Sequence, residues 1–245
     1  MTGSATLAPV VHAACTDAIG ANLRRQLVKH IQDLGLAPDG DAWLRRAEDD
    51  TVAALAARGE ALAAELGQDV PALREKLHYG GEQPWAGPQP LGYRILNLLA
   101  AQGRIVRGRP RGSWTSGQYR WSVMEAWLPG GLPGRPAAEA QAELARAWLA
   151  TFGPATVADL KWWTGWTVAV TRRALAAVGA VEVELDGGLG LVLPGDVDPA
   201  PEAGPWVALL PALDPTTMGW KERAWYGEVR TTPRFRAPLE RELSA

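Results

Sequence analysis

Five arginines and no acid fall within Gly103–Trp121, GRIVRGRPRGSWTSGQYRW, in a chain whose formal net charge is −2. They are Arg104, Arg107, Arg109, Arg111 and Arg120. A guanidinium is always charged, and its planar fork of donors matches phosphate oxygens. Ser113, Trp114, Thr115, Ser116 and Gln118 are interleaved with the arginines and add short hydrogen-bonding groups and an aromatic face. The surrounding chain is acidic, so the basic charge is concentrated rather than average, and it points to double-stranded DNA as partner. The alternative is a solvated hairpin whose charge deters edge-to-edge pairing.

Other chemistry is sparse. His12, His30 and His78 lack the spacing of metal ligands, and no metal or cofactor is predicted. No phosphate-cradling glycine motif followed by Lys-Ser/Thr occurs, and no nucleophile elbow. Glu48-Asp49-Asp50 reads as a solvated helix face. Asp214, after the apolar stretch of ALLPALDPTTMGW, is a candidate site acid, although turn capping is the commoner role. The single cysteine, Cys15, reads as a buried, inert thiol in a reducing compartment. No signal pattern or long apolar run is present, so a cytoplasmic protein with no membrane contact is expected. No obligate protein partner is evident.

The basic segment needs elements to hold it. Leu91–Gln102 has apolar positions Leu91, Ile95, Leu98 and Leu99 at helical spacing. Strands Arg104–Arg107 and Gln118–Val123 then flank a Gly/Pro/Ser-rich turn, with Trp114 exposed at its tip. A helix followed by a basic hairpin is the ending of a winged helix, and the helix would face a DNA groove. Upstream, Leu7–Leu34 reads as one or two helices. Asp41 would cap Ala42–Arg58, with Trp43, Ala47, Val52 and Leu55 inward. Shorter helices follow at Glu60–Leu66 and Ala72–Leu77, then a loop over Tyr79–Pro90.

Leu128–Pro136 is a linker in which six of nine residues are Gly or Pro. The order then repeats: helix Ala137–Phe152, Thr156 capping Val157–Thr164, Thr167 opening Val168–Val178, and strands Val181–Leu185 and Gly190–Leu193. Lys161, Thr167, Thr171, Arg172 and Arg173 would face outward as further DNA contacts. Glu182, Glu184 and Asp186 on the hairpin would repel phosphate, so a purely structural second unit stays open. Of the twelve tryptophans, Trp148, Trp162 and Trp163 are expected in the core. The expected fold class is α+β, mainly helical, with tandem winged helix-turn-helix domains, small β-hairpin wings and a C-terminal strand segment. The expected divisions are 1–40, 41–128, a linker over 129–136, 137–197, 198–227 with a strand at Trp206–Leu210, and a disordered tail over 228–245.

The segments RIVRGRPRGSWTSGQYRW, TFGPATVADLKWWTGWT and ALLPALDPTTMGW, in that order within residues 7–226, resemble a bacterial family of winged-helix DNA-binding proteins. That family includes the alkylpurine and crosslink-unhooking DNA glycosylases. The resemblance implies tandem winged helices forming a concave clamp on duplex DNA. It also implies hydrolysis of the N-glycosidic bond of alkylated purines without a metal. The family's glycosylases position the attacking water with Gln–apolar–Gln or Gln–x–Asp, and neither occurs in these 245 residues. Met1–Thr6 stands where most of a first domain is expected, and the family's later strands give way to VRTTPRFRAPLERELSA. The chain is therefore expected to be truncated at both ends, with no catalytic residue transferable. The expected function is binding of double-stranded DNA, plain or alkylated, without base release. The alternatives are an active glycosylase in base-excision or crosslink repair, and a non-functional gene fragment.

Overall fold

A computed structural model of the chain describes residues 7–79, 87–113, 115–185, 188–198, 210 and 214–221. The architecture is α+β and mainly helical, with three small antiparallel sheets among the described residues. The chain divides into two compact units, Met1–Leu144 and Ala145–Ala245. Trp114, Asp186, the tail over 228–245 and nearly all of the Trp206–Leu210 segment lie outside the described residues.

The first unit opens with α1 (Ala8–Val11), a π-helical turn (His12–Thr16) and α2 (Asp17–Asp33), which follow one another without a break where the apolar spacing allowed one helix or two. Helix α3 (Gly40–Arg58) starts two residues before the expected Ala42, because Asp39 rather than Asp41 is the cap, accepting from the Ala42 N–H at 2.9 Å. Asp41 is instead drawn to Arg24 and Arg45.

The next expected helix does not begin at Glu60. Ala61 and Leu62 are both buried and form β1 (Ala61–Leu62), and α4 (Ala63–Asp69) follows. The Glu65 carboxylate accepts from the Leu62 N–H at 2.7 Å and fixes that start. The helix expected over Ala72–Leu77 is also absent. Pro71–Arg74 makes one 3₁₀ turn, and β2 (Lys76–Tyr79) pairs antiparallel with β3 (Gly87–Pro90), where a loop was expected. A single buried leucine, Leu77, seats that strand.

Helix α5 (Leu91–Ala101) leads through Gly103, at φ 71°, into β4 (Ile105–Pro110) and β5 (Tyr119–Val123). The sheet order is β1-β5-β4, so β5 is central and β4 is an edge. Leu27, Ile31, Leu44, Leu55, Leu66, Leu91, Ile95, Leu98, Leu99 and Ile105 pack into one core with Trp121 of β5. Each such leucine contributes about 1.5–3 kcal/mol on burial, which anchors the base of the hairpin. The short α6 (Met124–Trp127) follows β5, and the first half of α7 (Ala137–Phe152) ends the unit.

The second unit is built on the C-terminal half of α7, α8 (Val157–Thr164), α9 (Val168–Ala177) and the hairpin of β6 (Val181–Leu185) and β7 (Gly188–Val192). Thr156 and Thr167 cap α8 and α9 as their positions predict, each accepting from the backbone N–H three residues on. Asp159, only 2% exposed, completes a capping box with Thr156 and accepts from the Lys221 N–H at 2.7 Å. Trp220 donates from its indole nitrogen to the Phe152 carbonyl at 2.8 Å and meets the Phe152 ring edge-on.

Two tryptophan expectations need correcting. Trp148 is buried, but Trp162 and Trp163 are 41% and 42% exposed. They sit next to each other on α8, and a short helix with one inward face cannot bury both. No helix among the described residues is long and apolar enough to cross a membrane.

Candidate nucleic-acid interface

The basic hairpin extends from a buried base to an exposed tip. Ile105 opposes Val123, Val106 opposes Ser122 and Arg107 opposes Trp121, after which the register shifts before Pro110 meets Tyr119. Gly108 and Arg109 lie in that bulge, which bends and twists the edge strand and re-aims the side chains beyond it. Beyond the bulge the Arg111 N–H donates to the Gln118 carbonyl at 2.7 Å. The tip is tied by its own hydroxyls: Ser113 and Thr115 oxygens are 2.8 Å apart, and the Ser116 hydroxyl accepts from the Gln118 N–H. The aromatic expected at this tip, Trp114, lies outside the described residues.

The five arginines are not equivalent. Arg104, at the hairpin base, donates to Asp49 of α3 at 2.7 Å. Arg120 stands 3.7 Å from the Glu60 carboxylate. Arg107 lies over the Tyr119 ring, 4.3 Å from its centroid, with its charge still open to solvent. Arg107, Arg109 and Arg111 are exposed, and no acid pairs with them among the described residues. Three of the five cations are therefore available to an incoming anion.

Helix α5 does not face outward as its place before the hairpin suggested. Leu91, Gly92, Ile95, Leu96, Leu98, Leu99 and Ala101 are all buried, and only Tyr93, at 66%, is fully open. The helix packs against α2, α4 and the 3₁₀ turn, so most of its circumference serves the core.

The acidic run on α3 also differs from the expectation. Asp49 and Asp50 are exposed, but Glu48 is only 2% exposed. Its carboxylate accepts from the Arg24 guanidinium at 2.7 and 3.0 Å and from the Gln102 amide at 2.9 Å. Glu48 therefore ties α2 and α3 to the turn that launches β4. His12 reaches the same turn, with Nε2 3.0 Å from the Ala101 carbonyl. Burial first, then the nearby Arg94 charge, holds the His30 imidazole below its ordinary pKa. Cys15 is half-buried rather than enclosed.

In the second unit Lys161, Arg172 and Arg173 are exposed on α8 and α9. Thr171 is not: it is fully buried, and its hydroxyl donates to the Thr167 carbonyl at 3.0 Å. Thr167 spends its own hydroxyl on the Val170 N–H. The α8–α9 turn passes through Gly165 in the left-handed region. Glu182 and Glu184 are exposed on β6. Asp214 is half-buried and precedes a short helix, α10 (Pro215–Met218), with its carbonyl accepting from the Met218 N–H. Among the described residues no three His, Cys, Asp or Glu side chains gather as a metal site.

Fold and hairpin together define a mainly helical α+β protein carrying a basic β-hairpin at the edge of a small sheet. Residues 3–241 match the family model described as DNA glycosylase AlkZ-like, and the chain belongs to that family. Among solved structures it is similar to the Streptomyces sahachiroi DNA glycosylase AlkZ, at 18% identity and a TM-score of 0.44. The alignment covers 62% of this chain, which spans 40% of the length of that relative. No curated protein matches the chain.

Proposed function

We propose that this chain binds double-stranded DNA through the β4–β5 hairpin, acting as the wing of a winged helix over residues 41–128. A second winged helix over 137–197 would support it through Lys161, Arg172 and Arg173. The observation that carries the reading is the set Arg107, Arg109 and Arg111. These three exposed guanidiniums, without acidic partners among the described residues, extend from a strand whose base is locked in the core. Membership of a DNA-repair glycosylase family makes a nucleic-acid partner the natural one.

The same proposal holds that these 245 residues do not release bases. Hydrolysis of a glycosidic bond needs a positioned water and stabilisation of an oxocarbenium-like centre. Neither Gln–x–Gln nor Gln–x–Asp occurs in the sequence, and Asp214 belongs to no group of three or more His, Cys, Asp or Glu side chains among the described residues. Family membership itself favours the second reading, an active glycosylase. A gel shift on plain and N7-methylated duplexes, run beside a base-release assay, separates the two. The expected result is binding to both duplexes with release at the spontaneous rate. Release that disappears in Asp214→Asn would establish the enzyme instead.

A further inference from the structure

We propose that Asp49 and Glu60 are intramolecular stand-ins for phosphate, which hold Arg104 and Arg120 and limit how many hairpin cations reach DNA. This inference rests on the binding reading above. The geometry is specific. Arg104 immediately precedes β4, and its guanidinium donates to the Asp49 carboxylate at 2.7 Å. Arg120 lies in the central strand, with the Glu60 carboxylate at 3.7 Å.

Neither acid has an evident structural task that would explain its place. The Asp49 and Glu60 side chains are 70% and 61% exposed, and ion pairs that open to water contribute little to stability. The neighbouring Glu48 is the contrast, since it is buried and tied to Arg24 and Gln102. Their positions are nonetheless fixed. Asp49 rides on a helix whose next residue back is that buried anchor, and Glu60 precedes a strand paired with β5. Two carboxylates are thus held beside Arg104 and Arg120, while Arg107, Arg109 and Arg111 lack such partners among the described residues.

The consequence is competitive. A phosphate reaching Arg104 or Arg120 must displace a carboxylate that is already in place. Releasing the acids adds two phosphate contacts, and each contact steepens the slope of log K against log[salt] by about 0.9. At 0.1 M salt one such contact is worth up to about eightfold in affinity, and at 0.5 M only about twofold.

The test compares Asp49→Asn/Glu60→Gln with the unaltered chain by fluorescence anisotropy on a 20-base-pair duplex, across a salt series. Asp50→Asn, an exposed acid on the same helix, controls for the loss of one negative charge near the hairpin, half of the change made in the double variant. The double variant is expected to bind tens of fold tighter at 0.1 M, with a slope steeper by about 1.8. Adding Arg104→Ala should take back about half of that steepening, whereas a purely structural effect would not depend on Arg104. A slope in the double variant equal to that of Asp50→Asn overturns the inference while leaving hairpin binding intact. If the unaltered chain shows no affinity that Arg107→Ala/Arg109→Ala/Arg111→Ala removes, the binding reading itself is wrong.

Discussion

Replacing Arg107, Arg109 and Arg111 together by alanine is the perturbation that bears most directly on the proposed interface. All three are exposed and lack acidic partners among the described residues, so each is free to displace a condensed counterion from DNA. With three phosphate contacts, log K should fall against log[salt] with a slope of about −2.7 from these residues alone. Between 50 and 200 mM salt that is a loss of about 40-fold in affinity. If Lys161, Arg172 and Arg173 contact the same duplex, the total slope steepens to about −5.4, and the triple variant still removes half of it. At 0.1 M salt the substitution should weaken binding by up to about 500-fold. The assay is fluorescence anisotropy over a salt series, with urea unfolding as the control for folding. Among the described residues Arg107 is the one of the three with a side-chain partner to lose, and its contact with Tyr119 is worth about 0.5–1 kcal/mol. The triple lysine variant keeps the charges and should keep the slope. An unaltered slope in the alanine variant would refute the reasoning and leave the hairpin as a solvated edge.

Gly92→Ala should lower the urea midpoint by the equivalent of about 1–3 kcal/mol, because an added Cβ would stand 2.8 Å from the Leu73 carbonyl oxygen. Gly20→Ala should raise it by up to about 1 kcal/mol, since the nearest atom there is Ala101 at an ordinary 3.5 Å and helix propensity favours alanine. Glu48→Ala strips Arg24 and Gln102 of a buried acceptor. Arg24 keeps Asp41 and is a quarter exposed, so the loss is about 2–3 kcal/mol in chemical denaturation rather than the full penalty of a broken buried pair. His30 is held below its ordinary value of 6.5, so the unfolded chain takes up a proton at a pH where the folded chain does not. Stability should fall as pH drops below about 6.5, a dependence that His30→Gln removes; an unchanged pH profile in that variant would assign it elsewhere.

What could be read from the sequence follows the range of the forces involved. Thr156 and Thr167 marked the starts of α8 and α9 correctly, because a cap is settled within three or four residues. The basic hairpin was legible for the same reason, its two strands and turn lying within twenty residues. Ala61 and Leu62 were misread as helix because the strand that claims them, at Arg120 and Trp121, is some sixty residues away. The inward turn of α5 and the burial of Glu48 depend on partners on other elements, as does the capture of Arg104 by Asp49. Local pattern carries no trace of these. The exposed Trp162 and Trp163 had a usable signal: adjacent residues on a helix point about 100° apart, so a buried pair needs partners on two sides.

The inward-facing α5 has a consequence for kinetics. Distinguishing base pairs takes several polar side chains presented together into a groove, and on this helix only Tyr93 is fully open, with Arg94 and Asn97 half-buried. A chain held on DNA by hairpin guanidiniums and not by α5 therefore meets nearly the same energy at every step along the duplex. That flat profile is the condition for one-dimensional diffusion, in which a protein scans by sliding and hopping instead of dissociating after each encounter. Residence time would then be governed by ionic strength rather than base sequence, and the chain would inspect long tracts of DNA in each binding event.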